Sequence, residues 1–320
     1  MNNAVFSFSK PARGSTVVSN HLARFIAKTL DLPLYYDKRI RDERLDILFI
    51  VNGAYAFCDC LADLAPAIRR ATRIVWIQND YTIKPPRFDV ECKAESPFRR
   101  AFVVRAASGK LPTDYWTTVE ANSQVTPDSM QMNWNALMCL KMYLEPAWYP
   151  TRDLFYYGAY RVQRRHTFDI YFIHPSIPVT ISSTSKKFLH MYPDTHHMGG
   201  LQHGNGFYQA LNSHGLGLYI EDPKSHSEWH SPANRFYEML SAGLPMVFEP
   251  MAALMLDRHG IQMEHEYVID SQVAIKHAFK NRVVIATKQQ TMWFRSYHAE
   301  LRQYLLQAYK HLIWRHTHGR

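Results

Sequence analysis

Three arginines close the stretch YYGAYRVQRR (156–165), and two of them, Arg161 and Arg165, stand four residues apart. At that spacing they share a face if a helix begins there. Two guanidinium forks aimed at one point suit a diphosphate, since each can bind two oxygens. The alternative is a solvated helix face. Gly158, just ahead of them, lets a ligand approach the backbone closely. Arg235 and Glu238 stand three apart in NRFYEML. A carboxylate there can accept hydrogen bonds from both hydroxyls of a ribose, or the two residues form an intrahelical ion pair. Asp80 ends the stretch WIQND. A carboxylate at the end of a buried strand could take a proton from an acceptor hydroxyl; the competing role is a turn or N-cap aspartate.

These residues must be positioned by strands and helices. Val5–Phe8 reads as a first strand, and SNHLARFIAKTL places Leu22, Phe25, Ile26 and Leu30 at helical spacing. LPLYYD, LDILFIVNG, RIVWIQND and DYWTTVEAN read as further strands, the middle two apolar enough to be buried on both faces. LADLAPAIRRA between them reads as a helix, with Pro66 early in it or kinking it. Pro146 and Pro150 mark a hinge. After it the alternation restarts with DLFYYGAY, IPVTISS and GLGLYIED as strands. SPANRFYEMLSAG follows as a helix capped by Ser231 and closed by Gly243. LPMVFEP is then a strand and MAALMLDRHG a helix, with another helix starting near Ser271. Trp293, Tyr297, Leu301, Tyr304, Leu305, Ala308 and Leu312 form one stripe of a long final helix.

The fold class expected is therefore α/β: two Rossmann-like domains facing across a cleft, with a long C-terminal helix. The expected domains are residues 1–148 and 149–320, the final helix packing back on the first. A chain of 320 residues suits two cores. A net charge of +9 points to an anionic partner. Four scattered cysteines, Cys58, Cys60, Cys92 and Cys139, lack zinc spacing and read as reduced thiols of a cytoplasmic protein. No secretory leader and no run of 18 apolar residues is visible. Neither GxGxxG nor GxxxxGK[ST] occurs, so a dinucleotide fingerprint and a P-loop are both missing.

The order strand–Gly–xx–Arg–xxx–Arg, then Arg-xx-Glu ahead of a small-Gly-x-Pro turn, resembles the two-Rossmann (GT-B) glycosyltransferases. More narrowly, it is similar to bacteriophage DNA glucosyltransferases acting on hydroxymethylated pyrimidines. LDILFIVNGAYAF with RIVWIQNDYTIKPP looks like that family's stretch bearing the acidic catalytic residue, DLFYYGAYRVQRR like its diphosphate turn, and NRFYEML like its ribose-binding helix. The resemblance implies Asp80 as general base, Arg161 and Arg165 on the nucleotide diphosphate, Glu238 on ribose and Arg235 beside it. Gly158 belongs to the same donor site. Ser15, Thr16 and His21 would line the sugar and acceptor pocket. His21 stands where the family has a carboxylate, and His230 stands eight before Glu238 where many retaining relatives have an acid. Stereochemistry is left open, with inversion preferred.

The resemblance further implies a nucleotide-sugar donor, UDP-glucose, and double-stranded DNA with a flipped-out base as acceptor. Lys84, Arg87, Arg99 and Arg100, in the basic segment after Asp80, would touch flanking phosphates; each is otherwise a solvated loop charge. No metal site is expected in the histidines from His190 to His203, and no DxD element is present. A divalent ion would stimulate at most. The protein is expected to be a monomer without a membrane partner, in the host-cell cytoplasm if viral. Two other functions fit the same residues: a GT-B enzyme acting on a lipid-linked or surface glycan, and a non-catalytic DNA-binding protein.

Overall fold

The first strand, β1 (Asn3–Ser7), is buried along its whole length. A computed structural model describes residues 1–7, 15–36, 38–52, 64, 66–78, 114–117, 130–131, 143–202, 206–221, 232–258 and 261–318. The chain forms two units, Met1–Met138 with Glu300–Arg320, and Cys139–Ala299.

In the first unit β1 is followed by α1 (Ser15–Leu30), β2 (Leu34–Tyr35), β3 (Ile47–Asn52), β4 (Arg73–Gln78), β5 (Asp114–Thr117) and β6 (Met130–Gln131). The sheet order is β2-β1-β3-β4-β5-β6, and every described pairing is parallel. The apolar run Ile47–Val51 is fully buried, as a central parallel strand between two helical layers requires. Each such Ile, Val or Phe contributes about 1.5–3 kcal/mol by leaving water. Leu22 and Ile26 of α1 are fully buried as well, and Leu30 nearly so. Leu64 and residues 66–70 are helical, within the stretch read as a helix from the sequence.

The second unit contains β7 (Leu154–Tyr157), α2 (Arg165–Phe172), β8 (Val179–Ser182), α3 (Lys187–Met191), β9 (His196–Met198), α4 (Phe207–Asn212), β10 (Leu216–Tyr219), α5 (Asn234–Ser241), β11 (Met246–Phe248), α6 (Pro250–Arg258), α7 (Gln272–Lys280) and α8 (Arg282–Gln289). Its parallel sheet runs β11-β10-β7-β8-β9. The chain leaves β7 toward β8 and β9, then returns to β10 on the other side. The strand order therefore reverses between β7 and β10, the place where such sheets open a ligand crevice at their carboxyl ends. Gln289, at the end of α8, is buried and binds edge strand β11 as a strand would. Its Oε1 accepts from Met246 N–H at 2.9 Å and its Nε2 donates to Met246 C=O at 2.7 Å. A π-helical turn, Gln290–Phe294, leads into α9 (Arg295–His318).

The expected α/β class with two parallel sheets and a long C-terminal helix is what the chain adopts. Several local expectations change. The stripe of the final helix is split: Trp293 packs on Phe236, Phe248 and Tyr267 of the second unit, whereas Leu305 and Leu312 are buried in the first. There Tyr309 receives a hydrogen bond from Asn3 Nδ2 at 2.9 Å and packs on Phe49. Tyr304 is 45% exposed rather than part of the seam. The helix α5 has Ala233, not Ser231, at its N-cap and no side-chain cap. Ala233 N–H is instead satisfied by the Tyr219 hydroxyl at 3.0 Å, so tertiary packing replaces the cap. Gly243 does close the turn after α5, at φ +67, where an added Cβ would lie 2.0 Å from Leu144 C=O. Strand β9 was not foreseen, since HHM carries no apolar run.

At the amino end of β7 a buried polar knot ties the sheet together. Asp153 accepts from Thr151 Oγ1 at 2.6 Å, from His214 Nδ1 at 2.8 Å and from Gly215 N–H at 3.0 Å. The His214 ring stacks on Phe155 at 3.7 Å. Burial pushes the Asp153 carboxyl up, but the hydrogen bonds from His214, Thr151, Gly215 and Thr180 outweigh it and hold the pKa down at about 2. A depressed carboxyl stabilises the fold above its unfolded value, and the contribution is lost as pH falls through about 2. The shift corresponds to roughly 2 kcal/mol. The Asp153→Asn chain should therefore be less stable near neutrality, and the gap to the parent should close between about pH 4 and pH 2. Urea titrations across that range measure it; a constant gap would show that Asp153 carries no such linkage.

Candidate functional site

The carboxyl ends of β7 and β10, where the second sheet's order reverses, gather the charged residues. After β7 the chain makes an extended turn at Gly158, φ +145, with its N–H donating to Ser182 C=O at 3.1 Å. A Cβ at this position would lie 2.8 Å from Arg235 Nη1 and 3.2 Å from the Tyr156 hydroxyl. Glycine is thus required here first for a protein group, the Arg235 guanidinium, to lie against the backbone.

Next comes a 3-10 turn, Val162–Arg164, with Arg161 in extended conformation before it and α2 starting at Arg165. Arg161 and Arg165 therefore do not stand on one helix face. A 3-10 turn advances three residues per turn and holds Arg161 outside the helix. Both side chains are exposed, and Arg165 lies 3.9 Å from Asp169 on its own helix. The arginine between them turns inward. Arg164 is buried and binds Glu221, two residues beyond β10, at 2.5 and 3.0 Å. Nothing in the spacing of Arg161 and Arg165 points to it. The signal that could have found it is Arg164-xxx-Phe168-xx-Tyr171-Phe172, an arginine in register with the buried stripe of α2.

Glu221 is shared. Its carboxylate also accepts from Arg235 Nη2, through both oxygens. Arg235 Nη1 donates to the Tyr156 hydroxyl and to Tyr157 C=O, each at 3.3 Å, and its guanidinium lies 5.7 and 5.6 Å from the Tyr156 and Tyr219 rings. Burial disfavours the Arg235 charge, but the adjacent Glu221 carboxylate more than offsets this and raises its pKa above the ordinary value. Tyr219 is pushed up by burial and by Glu221, so it remains a neutral phenol. Glu238, one helical turn beyond Arg235 on α5, is buried and accepts from the Tyr157 hydroxyl at 2.6 Å. The intrahelical pair weighed from the sequence is thus replaced by two separate partnerships, Arg235 with Glu221 and Glu238 with Tyr157.

The structure therefore brings Gly158, Arg235 and Glu238 together, adds Arg164 and Glu221, and sets Arg161 and Arg165 at the solvent side of the same turn. Four guanidiniums, Arg161, Arg164, Arg165 and Arg235, stand against three carboxylates, Glu221, Glu238 and Asp169, which leaves a small local surplus of positive charge for an anion. Ser15, Thr16 and His21 lie on α1, which opens at Ser15, four residues before the SNHLARFIAKTL stretch read as the helix. Asp80, Lys84, Arg87, Arg99, Arg100 and His230 fall outside the described residues. Among the described residues no group of three or more His, Cys, Asp or Glu gathers as metal ligands. No described helix is long and apolar enough to cross a membrane.

Two parallel sheets of this order with a long C-terminal helix make the GT-B glycosyltransferase fold. Among solved structures, the chain is similar to T4 phage β-glucosyltransferase in complex with its UDP-glucose substrate, at 12% identity and TM-score 0.63, covering 96% of this chain and 99% of that one. It is also similar to an α-glucosyltransferase in complex with UDP and a 13-mer DNA containing an HMU base (9% identity, TM-score 0.60, 96% and 98% covered). A third similar structure is AviGT4, a glycosyltransferase involved in avilamycin A biosynthesis (12% identity, TM-score 0.54, 100% and 99% covered). No protein-family model matches the chain, and no curated protein does either.

Proposed function

We propose that this protein is a nucleotide-sugar-dependent glycosyltransferase that moves glucose from UDP-glucose to the hydroxymethyl group of a modified pyrimidine in duplex DNA. The observation that carries it is the arginine and glutamate cluster at the reversal point of the second sheet, in a fold shared along 96% of the chain with enzymes that bind UDP-glucose or DNA. Arg161 and Arg165 hold the diphosphate and take up the charge of the departing UDP. Glu238 receives the ribose hydroxyls, with Tyr157 fixing its carboxylate. Arg235 is held in place by Glu221 and faces the same turn. Asp80 takes the proton from the hydroxymethyl group, whose oxygen attacks the anomeric carbon as the bond to UDP breaks. Lys84, Arg87, Arg99 and Arg100 bind the DNA phosphates, and Ser15, Thr16 and His21 border the sugar.

A divalent cation accompanies UDP in one structure of T4 phage β-glucosyltransferase. Here the carboxylates of the described cluster are engaged by arginines and a tyrosine, so a cation would act on the diphosphate alone. The fold also serves an enzyme of avilamycin A biosynthesis, so the acceptor is chosen on other grounds. The chain's +9 surplus favours a polyanion.

The deciding experiment incubates the protein with UDP-glucose and a duplex containing hydroxymethylated pyrimidines, then digests the DNA and weighs the nucleosides. One added hexose per modified base is expected; a glycan acceptor labelled in its place would overturn the DNA acceptor. Within the donor site, Glu238→Gln should raise KM for UDP-glucose by about tenfold or more, since a charged hydrogen bond contributes about 1.5–3 kcal/mol. Steady-state kinetics at saturating DNA check this, and an unchanged KM would remove Glu238 from the ribose.

A further inference from the structure

We infer that the outward face of α9, carrying Lys310, His311, Trp314 and His318, is a second contact surface for the sugar–phosphate backbone of duplex DNA. The inner face of the helix is spent on the first unit through Leu305, Leu312 and Tyr309. On the outer face Trp314 is 57% exposed. His311 and His318 lie on either side of it, their rings 17° and 16° from its plane at 6.3 and 5.3 Å. The stack is pinned at its end by His318 Nδ1 on Trp314 C=O at 3.1 Å. This is a flat aromatic ladder held open to solvent, edged by Lys310.

Along the carboxyl-terminal part of α9, beyond Glu300, the charge has one sign. Residues 301–320 hold Arg302, Lys310, Arg315 and Arg320 with three histidines, and no aspartate or glutamate. A solvated helix ordinarily interleaves acids with its bases at i,i+4. The helix dipole accounts for cations in the last turn only, where Arg315, His316 and His318 lie; Arg302 and Lys310 stand well before it. A second copy of this face would be repelled by like charge. A membrane surface would need several large apolar residues on the same side, but Gln303 and Gln307 occupy it beside the single tryptophan. Rings with interspersed cations and no acids fit a nucleic-acid backbone.

This surface deepens the acceptor assigned above and rests on that assignment. The test compares the parent chain with the triple variant Lys310→Gln, His311→Gln, Trp314→Gln, all three being exposed. Binding of a short fluorescent duplex is followed by anisotropy from low to moderate salt, alongside thermal stabilisation by UDP and binding to vesicles containing phosphatidylserine. The variant should bind duplex about tenfold more weakly, with the slope of log K against log salt reduced by about 1, and with UDP stabilisation unchanged. Equal duplex affinity and slope overturn the surface while leaving the proposed enzyme intact. A loss confined to vesicle binding overturns it in favour of a membrane. A parent chain that is stabilised by UDP but binds no duplex overturns the surface and the DNA acceptor together.

Discussion

Replacing Asp80 by asparagine is expected to lower the rate of sugar transfer by about 10²–10⁴-fold, the range supplied by a positioned general base. An amide keeps the shape of the carboxylate and can still accept a hydrogen bond, but it cannot take the hydroxymethyl proton. The loss should therefore fall on kcat, with KM for UDP-glucose nearly unchanged. UDP-glucose should stabilise the variant against heat as it does the parent, because only the bound native state is stabilised and the donor site is untouched. The opposite pattern is equally readable. If Asp80 is a turn or capping residue, the variant melts earlier and transfers at the parent rate once folded. Single-turnover transfer and a melting curve on the same preparation separate the two.

The second large effect is on stability. Glu221 lies between Arg164 and Arg235, whose side chains are 4% and 11% exposed. The Glu221→Gln change leaves two desolvated guanidiniums with a neutral amide between them. Removing one partner from a buried ion pair costs about 3–5 kcal/mol, which in a unit of this size lowers the melting temperature on the order of 10 °C. Arg165, 57% exposed and 3.9 Å from Asp169, offers the contrast: Arg165→Gln should change stability by less than about 1 kcal/mol. Glu221→Gln should also loosen Arg235, so donor affinity should fall even at temperatures where the variant is folded. A melting temperature within a degree or two of the parent would mean the three charges are not a closed network in solution.

Much of the frame was legible because a central parallel strand needs apolar residues on both faces. LDILFIVNG and RIVWIQND supplied β3 and β4 on that ground. Strand β9 escaped because it is at most half-buried, and His196-His197-Met198 has no pattern to betray it. At the site, Gly158, Arg235 and Glu238 could be marked from spacing because each lies in a short, local motif. Arg164 and Glu221 could not, since their pairing spans 57 residues and exists only once β7 and β10 lie side by side. Spacing likewise offered Arg161 and Arg165 a shared face. The extra tightness of a 3-10 turn, which depends on how the chain leaves Gly158, decided otherwise. The split of the final stripe between two units has the same origin: periodicity reports that a face is buried, not against what.

The side chain of Gln289 has one more implication. By pairing with both backbone groups of Met246, it occupies the open margin of the sheet where a further strand would add. Unpaired margins of this kind recruit strands from neighbouring molecules. A chain in which this amide is replaced by leucine would leave the N–H and C=O of Met246 without this partner at the sheet's edge. Its solubility should then depend on concentration, with the first aggregates assembled edge to edge.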